Sequence, residues 1–265
     1  MSANQALRAC AGVATALLLF AASALAADAD LQKILAPTGK LRAALYPGTP
    51  TSIVDPRENE PRGVGYDLGK ELARRLGVPY EPVVYPKNAD VQEAMKAGNA
   101  DVAFTNRTPA RQREMDFGPA YLLIELGFLV PAGSSITSSD LAALDQKGRR
   151  IGVAAGSTSE STLSRDLKNA EVVRATTNQQ GAELVAAGKI DAFATNKATL
   201  FELAKTPGVS VLPDRWGEER HGIAIPKGRE HGIPYIKAFT EDALAQGLVK
   251  AAMDRAGLRG AKTVE

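Results

Sequence analysis

Apolar and polar positions alternate along this chain in two rhythms. Short apolar, β-prone runs stand at Leu41–Leu45, Tyr80–Tyr85, Val102–Phe104, Leu126–Val130, Ile151–Ala154, Ala192–Ala194 and His221–Pro226. Between them, apolar residues recur three or four positions apart, as they do on one face of a helix. Leu68, Leu72 and Leu76 do so, and the spacing predicts a helix capped by Asp67 and stopped by Gly77. Val91, Ala94 and Met95, then Ala182, Leu184 and Val185, mark two more. Leu244, Leu248 and Ala252 predict one closing helix that ends near Gly257. Helices are also expected after Asp140 and from the Gly156-Ser-Thr-Ser loop, with polar turns from Pro47 to Pro50 and from Asp55 to Arg62. Strands alternating with helices predict an α/β fold with a mainly parallel sheet.

One pattern occurs twice. G-x-x-D-x-x-x-T-N runs from Gly98 through Asp101 to Thr105 and Asn106, and again from Gly188 through Asp191 to Thr195 and Asn196. In both copies the glycine falls where a helix would stop, and the aspartate opens an apolar strand. Continuous apolar runs suit parallel strands buried on both faces. Thr-Asn then sits at the carboxyl end of each strand, the side on which open α/β sheets bind ligands. The simplest reading is two similar α/β lobes, each presenting a polar strand end to a shared cleft. Leu126–Val130 reads as the first crossing between the lobes and His221–Pro226 as the returning strand. The boundaries expected from this are residues 27–126 with 222–265 for the first lobe and 127–221 for the second. Two crossings put both termini in one lobe and can act as a hinge.

Arg8 is the only charge before Asp28, and Val13 to Ala26 is mostly apolar, closing with Ala24-Leu25-Ala26. This reads as a secretory signal peptide, residues 1–26, cleaved after Ala26. The run is shorter than the roughly 20 residues of a membrane span; an uncleaved anchor is the rival reading. Cys10 is the one cysteine, so the exported chain would hold no disulfide, thiol nucleophile or thiolate metal site. The formal charge of +2 at pH 7 gives no argument for a nucleic-acid partner. A soluble, periplasmic product is expected.

Few signatures of other chemistry are present. His221 and His231 lack ligand spacing, so no metal site is expected. No phosphate loop of the G-x-x-x-x-G-K-[ST] type occurs, and Gly63-Val-Gly65-Tyr-Asp-Leu-Gly69 has the wrong spacing for a dinucleotide fingerprint. No cofactor is expected. Arg215 and Trp216 read as a polar surface loop.

The chain resembles the family 3 (polar amino-acid type) periplasmic solute-binding proteins of ABC importers over about residues 38–255. The resemblance rests on Gly65-Tyr66-Asp67-Leu68, Ala97-Gly98-x-x-Asp101, Thr108-Pro-Ala-Arg111 followed by Met115-Asp-Phe117, and Tyr121. Later in the chain it rests on Ile151-Gly-Val-x-x-Gly156-Ser, Gly188-x-x-Asp191-Ala and Gly222-Ile-Ala-Ile-Pro-Lys-Gly228. It implies the two-lobed periplasmic binding protein fold (type II, Venus flytrap) with two crossover strands. It also implies a monomer that closes on a small solute and docks on an inner-membrane ABC permease.

In that family the arginine of the T-P-x-R motif clamps the ligand carboxylate, and here it is Arg111. A guanidinium offers two parallel N–H donors to a carboxylate, which lysine cannot. Thr105 and Asn106, at the strand end, would lie beside it. Ser157 and Thr158, at a helix N-terminus of the second lobe, would oppose it. Where relatives place an aspartate for the ligand's α-ammonium, this chain has Asn196, which cannot neutralise a buried charge. Near Thr49 and Asn88 relatives often carry aromatic rings; Tyr46 and Tyr85 lie close in sequence and could take that place. Arg107 would add positive charge or point to solvent. The expected ligand is a small carboxylate-bearing solute, either an amino acid or an acid without an amine. Glu160 or a carbonyl could receive an ammonium.

Two functions compete with a non-enzymatic binding protein. Some relatives of this fold dehydrate cyclic carboxylic acids such as prephenate or arogenate, which would require a general acid in the cleft; Glu160 is the candidate. A ligand-presenting sensor is the other.

Overall fold

A computed structural model describes residues 30–264, so the expected leader, residues 1–26 with Cys10, lies outside the described residues. After a helical segment at residues 30–35 (α1), the chain runs through β1 (Leu41–Leu45), α2 (Val64–Leu76), β2 (Tyr80–Val84), α3 (Asn88–Lys96), β3 (Val102–Asn106) and α4 (Pro109–Glu114). The long strand β4 (Met115–Pro131) leads to α5 (Leu141–Leu144), β5 (Arg150–Ala154), α6 (Thr158–Asp166), β6 (Glu171–Ala175), α7 (Asn178–Ala186), β7 (Ala192–Asn196) and α8 (Lys197–Leu203). Then come β8 (Val209–Val211), β9 (Gly217–Pro226), α9 (Ile233–Ala245), α10 (Leu248–Ala256) and β10 (Ala261–Thr263).

The strands order as β2-β1-β3-β9-β4-β7-β5-β6. β1 is parallel to β2 and β3, and β5 is parallel to β6 and β7. Between these two parallel groups lie β9 and β4, antiparallel to each other from Met115↔Pro226 to Leu126↔Gly217. The same β4 pairs antiparallel with β7 farther along, at Leu126↔Asn196, while β9 pairs with β3 at Asn106↔His221. The two-lobed fold with two crossover strands therefore hangs on β4 and β9. Leu126–Val130 is only the last third of the outgoing strand, because Asp116, Pro119 and Glu125 interrupt the apolar pattern before it.

Each group of strands packs its own core. Leu41, Leu45, Leu68, Leu72, Phe104, Ile225, Phe239 and Val249 share one cluster. Phe128, Ile151, Val153 and Leu163 form another, and Phe193, Ala182, Val185 and Leu200 a third on the other face of the β5–β7 group. In α2 the i, i+4 row Val64, Leu68, Leu72, Leu76 is buried, as its spacing predicts. The helix starts earlier than expected, however. Gly63 is its N-cap residue and Asp67 lies in the first turn, where its charge favours the positive helix end without capping it. Gly77 stops it in the left-handed conformation (φ 67°). The single closing helix is also corrected: it is two, α9 and α10, broken at Gly247 (φ 71°), and α10 ends at Gly257.

The repeated pattern has a repeated structure. Asp101 precedes β3 and its carboxylate accepts from the backbone N–H of Arg42 (2.9 Å) and from the Arg42 guanidinium, which also donates to the Gly98 carbonyl (2.8 Å). Asp191 does the same before β7: it accepts from the backbone N–H of Arg150 (2.7 Å) and from its guanidinium (3.1 Å), which donates to the Gly188 carbonyl (3.0 Å). The aspartates thus tie the amino ends of neighbouring parallel strands, β1 to β3 and β5 to β7. Thr-Asn is left at the opposite, carboxyl ends.

Candidate functional site

Arg111 reaches the cleft because of local geometry that the sequence encodes. Thr108 caps α4 by accepting from the Arg111 N–H (3.2 Å), and Pro109 occupies the first turn, where its missing N–H costs nothing. The guanidinium folds back onto the end of β3. Its Nη1 donates to Thr105 Oγ1 at 2.6 Å and to the Asn106 carbonyl at 3.4 Å. Arg111 is 8 % exposed. Burial pushes its pKa down from the ordinary value, while the nearby Glu219 and Tyr46 act in the opposite direction. An arginine so placed stays charged.

The facing wall is the N-terminus of α6. Ser157 caps it by accepting from the Glu160 N–H (3.1 Å), and Glu160 reaches back to accept from the Gly156 N–H (2.6 Å). Together they make a reciprocal cap. Glu160 also pairs with Arg174 and lines neither cavity of the cleft, so it is not the cleft carboxylate expected of it. Thr158 and Ser159 continue the wall. Asn196 joins it from the end of β7, buried, with Oδ1 accepting from the Thr199 N–H (3.0 Å) as the cap of α8.

Hydrogen bonds cross the cleft. Asn106 Nδ2 donates to Thr158 Oγ1 (3.2 Å), Gln92 Nε2 to the Gly156 carbonyl (3.1 Å), and Thr199 Oγ1 to Thr49 Oγ1 (3.0 Å). The two walls are in contact, which is the closed arrangement.

Two cleft-lining residues escape sequence reasoning: Glu219 and His221 on β9. Both are buried and line the inner cavity, and His221 Nε2 lies 3.0 Å from Glu219 Oε2. Pairing puts His221 opposite Asn106, and Asn106 Oδ1 accepts from the neighbouring Arg220 N–H (3.1 Å). Burial raises the Glu219 pKa, but hydrogen bonding and charge from His221, the Arg111 charge and a hydrogen bond from Thr158 outweigh it. The net effect holds the carboxyl below its ordinary value. Glu219 is therefore ionised at neutral pH. The one available signal was alternation: residues 219 and 221 share a face of the returning strand.

These side chains surround an inner cavity of about 40 Å³, lined by Thr105, Arg111, Ser157, Thr158, Asn196, Glu219 and His221 among others. It meets a wider cleft of about 480 Å³ at Tyr46, Asn88, Ala154 and Asn178, which line both. The wider space falls within the range of small-molecule sites, roughly 300–1,000 Å³, while the inner one holds little more than water.

The structure thus brings together Arg111, Thr105, Asn106, Ser157, Thr158, Asn196, Tyr46 and Asn88. It leaves out two expected residues. Arg107 is exposed and lines neither space. Tyr85 is half-buried against the cluster of Ala44, Val91 and Met95, because the strand end turns it to that core. Arg215 and Trp216 do lie in the loop before β9, Arg215 exposed, but Trp216 is half-buried: its Nε1 donates to the Gly127 carbonyl (3.1 Å) and its ring packs on Phe128. Among the described residues no group of three or more His, Cys, Asp or Glu side chains could hold a metal, and no helix is long and apolar enough to cross a membrane.

A family model for bacterial extracellular solute-binding proteins, family 3, matches residues 41–252. The chain belongs to this family. Similar family 3 proteins include the L-cystine-binding protein TcyJ of Escherichia coli (strain K12), 22 % identical over 86 % of both chains. Another is the L-arginine-binding protein of Pseudomonas aeruginosa, 26 % identical over 80 % of this chain and 84 % of that one. Among solved structures, an ancestral amino acid-binding protein described as a precursor of cyclohexadienyl dehydratase superposes with a TM-score of 0.72. It is 24 % identical over 85 % of this chain and 97 % of that chain. These relatives carry the names of binding proteins, and the superposition establishes the shared two-lobed fold.

Proposed function

We propose that the protein is the periplasmic solute-binding component of an ABC importer. It takes a small carboxylate-bearing solute, an amino acid or a related organic acid, between lobes formed by residues 27–126 with 222–265 and by residues 127–221. The carrying observation is Arg111: a buried guanidinium, anchored through Nη1 and facing the capped N-terminus of α6 across a closed cleft. Both walls offer donors to an anion, so one carboxylate gripped from both sides would couple binding to closure. The clusters on either side of β4 and β9 support the lobe boundaries and a hinge in those strands. Export by a cleaved leader, a monomeric state and delivery to an inner-membrane permease complete the reading. No cofactor, metal or nucleic acid enters it.

A melting screen of the purified, ligand-stripped protein tests this, since a ligand of the folded form raises the melting temperature. Carboxylates are expected to stabilise the protein and their uncharged amides are not. Equal effects of acid and amide would count against a carboxylate site.

One observation favours a second reading, a dehydratase-like enzyme: Glu219 and His221 form a buried acid–base pair inside the cleft. Steady turnover of prephenate or arogenate by the purified protein would establish it, and binding without turnover would exclude it for those substrates.

A further inference from the structure

We infer that Glu219 and His221 form the ammonium-binding subsite of this cleft, so that the solute is an amine-bearing zwitterion rather than a simple organic acid. The assignment rests on the reading of Arg111 as the carboxylate site and goes beyond it by naming the other half of the ligand.

Three observations lead to it. First, Glu219 is the only carboxylate among the residues that line the inner cavity, and Arg111 is the only arginine or lysine there. A zwitterion leaves that pair of charges balanced. A monoanion without an amine would instead bring a second negative charge into a buried space beside Glu219, where unpaired charge is costly.

Second, His221 has an unused acceptor. Its Nε2 is engaged with Glu219, while Nδ1 is buried and has no hydrogen-bond partner among the described residues. When Nε2 carries the proton and donates to Glu219, Nδ1 is an acceptor that an ammonium N–H can satisfy. Buried polar atoms are rarely left without a partner, so this one calls for a ligand or a water.

Third, the other carboxylates near the cleft and the Asn196 oxygen are already committed, which leaves Asn178 Oδ1, also buried and unpartnered among the described residues, as one further open side-chain acceptor of this cavity. Asn196 Oδ1 caps α8 and Glu160 is held by the Gly156 N–H and Arg174. Asp101 and Asp191 tie strand ends at the far side of the sheets. Thr158, on the opposite wall, lines the same inner cavity as Glu219, so a cation bound there would draw on both sides of the cleft.

The test is calorimetric titration with matched pairs: L-glutamate and glutarate, L-arginine and 5-guanidinopentanoate, L-cysteine and 3-mercaptopropionate. For any pair that binds, the wild-type protein is expected to prefer the amine-bearing member by about 10–100-fold, the scale of a charged hydrogen bond. Glu219→Gln should erase that preference while leaving the deaminated acid bound. His221→Gln, which keeps a group able to reach Glu219 but removes the Nδ1 acceptor, should reduce the preference in part. Folding of each variant is checked by its melting transition, and if Glu219→Gln does not fold, the wild-type preference together with its reduction in His221→Gln decides the matter. A wild-type preference for the deaminated acids, abolished by Arg111→Ala, would overturn this inference and leave the carboxylate site standing. A preference that survives Glu219→Gln would also overturn it. Binding of no member of any pair would count against both readings.

Discussion

Arg111 and Thr105 are joined by a 2.6 Å hydrogen bond from the guanidinium Nη1 to Oγ1. Thr105 is the threonine of the repeated pattern, so the strand end that the repeat defines is also what orients the arginine. Among the described residues both hydrogen bonds of the guanidinium run from Nη1, which leaves Nη2 and Nε for a ligand. Thr105→Val keeps the shape and removes the acceptor. It should weaken carboxylate binding by about 1–3 kcal/mol, the range for a hydrogen bond to a charged group, with little change in melting temperature. Calorimetry beside a melting curve checks both halves; unchanged affinity would mean that the bond does not position the arginine.

The two aspartates of the repeat occupy the same place in the two halves but differ in burial. The Asp101 side chain is fully buried and pairs with both Arg42 and Arg229, whereas Asp191 keeps 35 % of its side chain exposed and pairs with Arg150. Removing one partner of a buried pair costs about 3–5 kcal/mol, and of an exposed pair about 0–1. Asp101→Ala should therefore destabilise the protein strongly and Asp191→Ala more mildly, as denaturant titration would measure. Equal losses would contradict the role assigned to burial.

Asn196 already caps α8, and an aspartate would cap it equally well. Asn196→Asp is thus expected to fold normally and to add a negative charge to the cleft wall. Relative affinity should move toward amine-bearing ligands over their deaminated partners by about 1–3 kcal/mol. A shift in the other direction would take Asn196 out of the ligand's surroundings.

Acid should loosen the contact between α2 and α9. The Arg74 hydrogen bond, against the cost of burial and with help from Arg75, holds Glu71 at a pKa of about 2 from an ordinary 4.5. Arg75 continues from Glu71 to Asp242 on α9. A carboxyl lowered on folding contributes stability that is present above its unfolded value and lost as pH falls through the folded one. The contribution of Glu71 should therefore fade between pH 4.5 and about 2. Glu71→Gln is expected to lower the melting temperature at pH 7 and to flatten its fall across that acid window. Parallel curves for the two proteins would show that Glu71 contributes nothing there.

Much of the fold was legible because its strands are short, apolar and bounded by glycine or aspartate. β1 matches its expected span, and β3 and β7 open after Asp101 and Asp191 as the repeat requires. The failures have physical causes. Leu244 and Leu248 keep helical spacing across Gly247, so a left-handed break is invisible to periodicity. The first half of β4 is broken by charge and proline in sequence but still pairs with β9 in space, through two register shifts around Ala120. In the site, Arg111 and Asn196 were legible through the family motif. Glu219 and His221 were not, because Glu218, Glu219, Arg220 and His221 read as a polar strand edge; pairing with β4, and at His221 also with β3, leaves Glu218 and Arg220 exposed but buries Glu219 and His221 on the other face.

Calorimetric titration of the ligand-stripped protein and its Arg111→Ala variant with a stabilising carboxylate tests the central claim most directly. Removing the guanidinium leaves the solute's carboxylate in a buried cleft without its partner, a loss of about 3–5 kcal/mol, or at least a hundredfold in affinity. A loss on that scale, with the variant still folded, is the expected result. An affinity unchanged by Arg111→Ala would place the solute elsewhere and contradict the account.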